Sequence, residues 1–592
     1  MIFGIVGRDA CKTAPAVNLP DANDACNYVY SDKDIHIRQR SRKTDFLRGE
    51  KLPVVSGDLA CFVDGIIYNY EELKQVLEKK GHRFETGGKF EVVIHLYKVF
   101  GNDFLGMLKG RYSVALWDSK SRKLMICCDQ EGLNPVYYCY YDNSLVFSSS
   151  IHSILKLPGI VPRVNWQEVY NHMSDPEIFY RDTLFKGIHK LNSGEALLIS
   201  SRRHTILNYS YLRQGIKHGT KDFRKEHEQA LRHAVYECLS EDRKTGIMLS
   251  GGVDSAAMLY FAKQHNRDIP CYSIGFDEDS KKDDLFHSRA LAEKCDVPYF
   301  CKALDSSLIC GMDKYMEIDH FTTSLDSVIP TYETIKLGKK ANVLLNGAGS
   351  ECAYGFNLND KLMFAVPIAS ALLRPAITSW MSLKSDRQKK ELARNRRIAA
   401  LTSRDKFSIK VSMLRGFGEA EKREIFGSKN IVCTDEYVRK AYVRYPEDFE
   451  EQTFYRNKVY LKNRTCAMHT LQEVSYPFLS QEFRALLQNR SIFDKDLLDP
   501  KAPLKRLVAS RLSKDAAFRK KENFLLPFSF CAEQKDFLYS KIDQLKCRKE
   551  FSRSGIEKAV GQRDAPYYWR KVSLLASLES WLGVYIDGKD AN

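Results

Sequence analysis

No Cys-x-x-Cys pair occurs in this chain, and neither its 16 cysteines nor its 14 histidines fall at a zinc-binding spacing. A disulfide framework and a structural metal are therefore not indicated. No secretory signal opens the sequence, so the thiols are expected to be reduced, mostly buried small hydrophobes in a cytoplasmic protein. Long apolar runs are also missing. The most apolar stretch, Leu362 to Trp380, is broken by Pro367, Arg374 and Pro375, which excludes a membrane span and favours a core helix pair or a lid. There is no helix-turn-helix, zinc-finger or RNP signature, no internal repeat and no low-complexity tract. Specific nucleic-acid binding is thus not expected, although 91 Lys+Arg against 75 Asp+Glu give a net charge of +16 and a pI near 9.0. Part of that excess lies in Lys384 to Arg397, whose helical spacing reads as a solvated face. Such a face can steer ATP or an acidic peptide.

What is present is concentrated in Leu249 to Met258, L-S-G-G-V-D-S-A-A-M. Ile247, Met248 and Leu249 read as the end of a buried strand, and Ala256 to Leu259 as the start of a helix. Between them, Gly251 and Gly252 let backbone N–H groups close on phosphate oxygens, while Ser250 and Ser255 add hydroxyl donors at the positive helix end. Asp254 beside a polyanion makes sense with Mg²⁺ between them. The plainer alternative is a Ser/Gly-rich strand-to-helix turn with an N-capping Asp.

With 592 residues and 44% hydrophobic content, the chain can bury more than one core. Residues 1 to about 205 show short alternating strands with one clear helix at Tyr70 to Lys80, which suits an antiparallel sandwich. From about 220 the pattern becomes strand–helix–strand, as in a parallel sheet with the phosphate loop at the carboxyl end of its first strand. Beyond Phe356 it is largely helical. The linker is expected near Ser200 to Thr220, giving domains 1–205 and 220–592.

Further segments extend the pattern. Cys271 to Phe276 forms a second strand-like run, Asp283-Asp284 precedes a helix around Arg289, Ala290 and Ala292, and Asn342 to Leu345 leads into Gly347-Ala348-Gly349-Ser350-Glu351. Glu473 is followed by Pro477-Phe478-Leu479, and Arg519-Lys520-Lys521-Glu522-Asn523-Phe524 comes later. Together these resemble the asparagine synthetase family, whose synthetase half is an ATP-pyrophosphatase forming an acyl-adenylate. The resemblance implies ATP held by Leu249, Ser250, Gly251, Gly252, Asp254, Ser255, Ile274 and Gly347, with Mg²⁺ on Asp254 and Glu351. Glu351 stands where the family has Asp. Lys521 takes the place of the lysine that neutralises charge on the adenylate and pyrophosphate, its alternative being a solvated basic loop. Glu473 is a candidate general base, with a carboxylate paired to a neighbouring cation as the alternative.

Val63 to Leu73, Gly81 to Phe84, Glu91 to Tyr97, Gly110 to Asp118 and Pro135 to Tyr138 resemble the family's glutamine-amidotransferase domain. The implied fold is α/β overall, with an N-terminal antiparallel sandwich of the N-terminal-nucleophile amidotransferase type (α+β). A parallel-sheet ATP-pyrophosphatase domain with a helical C-terminal part follows. In active members a Cys after the initiator Met is the nucleophile; here the aligned residue is Phe3, the N-G-E reads Asp64-Gly65-Ile66, and the substrate-binding Asp aligns with Lys89. The expectation is a degenerate domain without glutamine hydrolysis. The amine must then come from elsewhere, as in the lasso-peptide cyclases and β-lactam-type synthetases, which close a ring within one bound substrate. Ala348, in place of the β-lactam branch's Tyr, directs the reading to the lasso cyclases, with a precursor-peptide or small carboxylate substrate and a leader peptidase and leader-binding protein as partners. An ammonia-dependent asparagine synthetase and a catalytically silent scaffold are the alternatives.

Overall fold

Sheet alternation decides the N-terminal lobe in the computed structural model. The structure describes residues 1–7, 25–42, 52–174, 181–200, 203–209, 222–239, 244–277, 283–320, 325–354, 416–427, 431–434, 459–470, 472–488, 501–519, 525–561 and 567–588, with a few single positions besides. Leu362 to Trp380, but for the single position Ser379, and Lys384 to Arg397 lie outside the described residues.

One six-stranded sheet has the spatial order His189–Lys190, Tyr137–Tyr141, Ser144–Ser148, Ile2–Val6, Ile35–Arg42, Ala25–Ser31. The other runs Arg203–Asn208, Glu195–Ser200, Lys123–Cys128, Gly110–Asp118, Leu59–Ile67, Val54–Ser56. Both are antiparallel throughout. Successive side chains point to opposite faces. Phe62, Ala115, Trp117, Leu124 and Ile126 therefore meet Ile35, Ile37, Leu145 and Phe147 between the sheets. Their neighbours Cys61, Val63, Val114, Leu116 and Met125 pack outward against the helices Tyr70–Lys79 and Glu91–Phe100.

The linker expected at 200–220 begins too early. Arg203–Asn208 pairs along its whole length with Glu195–Ser200, and the buried Tyr209 hydroxyl donates to the Cys128 carbonyl. An edge strand with Arg203 and His204 on it carries the polarity of a loop, because one of its sides has no neighbour to bury it.

The second lobe is built on a five-stranded parallel sheet, ordered Tyr299–Ala303, Cys271–Gly275, Thr245–Met248, Val343–Leu345, Glu473–Ser475. Ile247, Cys271 and Leu345 face one apolar cluster with the helices Phe223–Glu237, Val253–His265 and Ala502–Arg511. Tyr272, Ile274 and Leu344 face the other, with Val328, Ile329, Val572 and Trp581. That second cluster does not stop at the lobe boundary. It takes in Phe3, Ile5, Tyr137, Ile151, Val169, Met173 and Phe185 of the first lobe, so the lobes share one core. Among the described residues no helix is long and apolar enough to cross a membrane.

Candidate functional site

The loop after Thr245–Met248 lies at the carboxyl edge of the parallel sheet, where such sheets take ligands. The Leu249 N–H reaches the Tyr272 carbonyl at 2.9 Å, and the Leu249 carbonyl accepts from the Ser273 hydroxyl, so the strand end is tied to its neighbour before the chain turns. Gly251 then takes φ +68°, in the left-handed region. A Cβ there would lie 2.7 Å from the backbone carbon of His287 and from the Ser288 nitrogen. Gly252 caps the helix Val253–His265, whose first intrahelical bond runs from Ala256 N–H to the Gly252 carbonyl at 2.9 Å. The amides just before Ala256 thus open the helix without an intrahelical acceptor and form its positive end. Ser250 lies beside them, its hydroxyl oxygen 3.2 Å from that of Ser255, which donates to the Gly252 carbonyl at 3.1 Å and accepts the Ser250 N–H at 3.3 Å. This is a donor set suited to phosphate.

Asp254 projects from the first turn of that helix. Gly347 is pressed against it, since a Cβ on Gly347 would be 3.1 Å from the Asp254 Cβ. The fold therefore brings the glycine-rich loop and the Gly347–Glu351 turn together. A cation already faces the Asp254 carboxylate. Lys501 Nζ donates to both carboxylate oxygens at 3.1 Å and to the Ser350 hydroxyl at 2.9 Å. The site thus fits a positive charge between Asp254 and the 347–351 turn, as a divalent ion would require. Glu351 begins at an exposed position in the short helix Ser350–Tyr354.

Two cations here were not singled out from the sequence. Lys501 is 247 residues from Asp254, and one lysine in a chain so rich in them carries no signal of its own. Arg519 donates to the Ser250 carbonyl at 3.2 Å and pairs with Asp284, fastening the segment before Lys521 to the loop. Its place in the run Arg519 to Phe524, two residues before Lys521, was the available clue. Lys521 itself lies outside the described residues.

Ile274 stays beside the loop, since Met248 pairs with Tyr272 and Ile274 is thus level with Ser250, while its side chain, 2% exposed, turns into the shared core. The remaining expected residues lie further off. Glu473 is level with Val343 and Thr245 across the sheet, five residues before Ser250 reckoned along the strand from Thr245. Thr245, its level position, lies three residues, roughly 10 Å along the strand, before the strand's carboxyl end at Met248. Its carboxylate is taken by Arg111 of the other lobe at 2.7 Å. Phe3 is fully buried in a central strand of the first sheet, packed into the shared core. Asp64 bonds to Arg464 at 3.0 Å, to the Ser149 hydroxyl at 3.1 Å and to the Met1 ammonium at 3.1 Å. Burial works against its charge, but the ammonium and guanidinium outweigh it and hold the carboxyl well below the usual carboxylate range.

The asparagine synthase family model matches residues 226–583, and the glutamine amidotransferase domain model matches residues 24–212. The chain belongs to the asparagine synthase family. Similar family members include asparagine synthetase [glutamine-hydrolyzing] 2 of Bacillus subtilis (strain 168), 30% identical over 256 residues, covering 41% of this chain and 34% of that protein. Asparagine synthetase [glutamine-hydrolyzing] 1 of the same organism is 23% identical over 444 residues, covering 71% and 68%. Amidase chry2 of Gibberella zeae (strain ATCC MYA-4620 / CBS 123657 / FGSC 9075 / NRRL 31084 / PH-1) is 27% identical over 274 residues, covering 43% and 40%. The chain spans about a third of the length of the first of these relatives, 34%.

Proposed function

We propose that this chain is an ATP-dependent ligase that activates a carboxylate as its acyl-adenylate, releases pyrophosphate and passes the acyl group to an amine. The observation that carries the reading is Asp254, set in the first turn of the helix behind a glycine-rich donor loop and pressed against the Gly347–Glu351 turn. In this reading the loop amides with Ser250 and Ser255 hold the phosphates, and Asp254 and Glu351 would hold Mg²⁺. Bound there, the metal supplies neutralisation of charge on the departing pyrophosphate. Lys501 lies at the same carboxylate and shares that task, and Lys521 is assigned to charge growing on the adenylate. Glu473 is the candidate general base, and its pairing with Arg111 supports the alternative in which it orients the segment at the lobe boundary.

The finer reading is a macrolactam cyclase of the lasso-peptide kind, acting on a precursor peptide with a leader peptidase and a leader-binding protein as partners. Its support is the position aligned with the nucleophile. Phe3 offers no lone pair and is sealed in the core, so glutamine hydrolysis is not expected and the amine comes with the substrate or from solution. An amine within the bound substrate gains from effective concentration. The names of the relatives favour a second reading, asparagine formation, which here would draw on free ammonia.

The test is pyrophosphate release by the purified full chain with ATP and Mg²⁺. Loss of one water from a core peptide, seen by mass spectrometry, supports the cyclase, and asparagine from aspartate and ammonium supports the second reading. Glutamate released from glutamine would overturn the assignment of the first lobe as inactive. Failure of every carboxylate to release pyrophosphate would return the chain to a scaffold.

A further inference from the structure

Three buried arginines cross the lobe boundary, each paired with a carboxylate of the other lobe. Arg111, 1% exposed, donates to Glu473 at 2.7 Å; Arg464 donates to Asp64 at 3.0 Å; Arg484 donates to Glu131 at 2.8 Å. Their partners in the second lobe all fall within one stretch, residues 464–484, made of the helix Lys462–His469, the edge strand Glu473–Ser475 and the helix Gln481–Gln488.

The first-lobe side is a connected frame. The Asp129 carboxylate accepts the N–H groups of Glu131, Leu133 and Asn134 at 3.0, 3.1 and 2.9 Å, folding residues 129–134 round itself. From that loop Glu131 reaches Arg484 and Gln130 accepts from Gln481 at 2.9 Å. Asn134 donates to the Asp64 carbonyl at 2.6 Å and accepts from Arg111 at 3.4 Å, which links two of the three ion pairs.

The gripped stretch in turn fixes the turn beside Asp254. The Ser475 carbonyl accepts the Asn346 N–H at 2.9 Å, and the Asn346 side-chain oxygen accepts from Ala348 N–H at 2.8 Å. Leu479 lies on Gly349, where a Cβ would meet its Cδ2 at 2.7 Å. Buried ion pairs are weak devices for stability, because desolvation offsets most of their attraction, and their best-attested use is to fix register in some proteins.

Resting on the ligase reading above, we propose that the first lobe is a positioning frame for the nucleotide site, with Arg111 its principal positioning residue. Arg111 holds Glu473, Glu473 holds the edge strand, and the edge strand sets the Gly347–Glu351 turn against Asp254.

The test is hydrogen–deuterium exchange and pyrophosphate release on the full chain carrying Arg111→Met with Glu473→Gln, a pair that removes both charges and leaves neither stranded. Exchange of the 343–350 amides is expected to rise about ten-fold or more while the helix Val253–His265 keeps its protection. The kcat for pyrophosphate release should fall about ten-fold and by more than the KM for ATP rises, since Gly347 shifts with the turn while the loop before Val253–His265 keeps its place. Unchanged protection at 343–350 overturns the proposal. Arg111→Lys, which keeps the charge but not the two-handed grip on Glu473 and Asn134, should move both readouts in the same direction by less, and it decides the matter if the double variant does not fold. Exchange reads positioning whether or not a carboxylate is found, so a wild-type chain without turnover would sink the ligase reading and leave this test standing.

Discussion

Gly251→Ala puts the phosphate loop to its most direct trial. Alanine at φ +68° costs roughly 1–2 kcal/mol, because its Cβ crowds the following carbonyl. The same Cβ would stand 2.7 Å from the His287 carbonyl carbon and Cβ and from the Ser288 nitrogen. Those atoms belong to the helix Asp284–Cys295, whose start is capped by Asp283 and paired through Asp284 to Arg519. Backbone so fastened does not yield easily, and overpacking adds roughly 1–3 kcal/mol. The loop is the part that can move. If it relieves about 2–5 kcal/mol by leaving its present shape, the binding-competent form becomes rare and ATP binds roughly thirty-fold to several thousand-fold more weakly. Calorimetric titration with ATP and Mg²⁺ measures this, with thermal denaturation alongside. Gly57→Ala is the control, as Gly57 has φ +63° with no atom within 4 Å of its added Cβ. It should cost about 1 kcal/mol of stability and leave ATP binding alone. Affinity in Gly251→Ala within about three-fold of wild type would refute the close-approach argument and, with it, the assignment of this loop to phosphate.

Asp254→Asn should reduce pyrophosphate release by about a hundred-fold or more while the unfolding midpoint hardly moves, since the amide keeps a hydrogen bond to Lys501 but not the charge; turnover near wild type would remove the metal-holding role. Phe3→Cys should not create glutaminase activity and should destabilise the chain by about 3 kcal/mol, through the cavity left in a fully buried site; glutamate formation would contradict it. Burial pushes Glu168 up to about 8, against the hydroxyl of Tyr437. Protonated in the fold and ionised in the unfolded chain, it contributes stability that is present below the ordinary glutamate range and is lost as pH rises towards about 8. Glu168→Gln should accordingly match wild type near pH 4 and gain melting temperature over it near pH 8; a pH-independent difference would show the carboxyl to be ionised in the fold.

Most of the architecture could be read from the residues because it is written in local patterns. Short alternating strands were legible over residues 1 to about 205, as was the helix at Tyr70 to Lys80, observed over Tyr70–Lys79, and S-G-G-V-D-S announced a strand-to-helix loop. What escaped was written across distance or against polarity. Arg203–Asn208 looked like linker because an edge strand can be polar. Lys501 acquires meaning only when folding brings it to Asp254. The Arg111–Glu473 pair joins positions 362 apart, and Arg464–Asp64 joins positions 400 apart. No window of a single sequence contains both halves of such a contact, so the paired reading of Glu473 could be named but its partner could not.

The apolar cluster that runs from Phe3 and Ile151 to Val572 and Trp581 limits how the two halves can be taken apart. Severing the chain near residue 210 would leave each fragment with a greasy face that its own helices cannot cover. Such fragments would clump or demand each other, and a truncation that killed turnover would say nothing about chemistry in the piece removed.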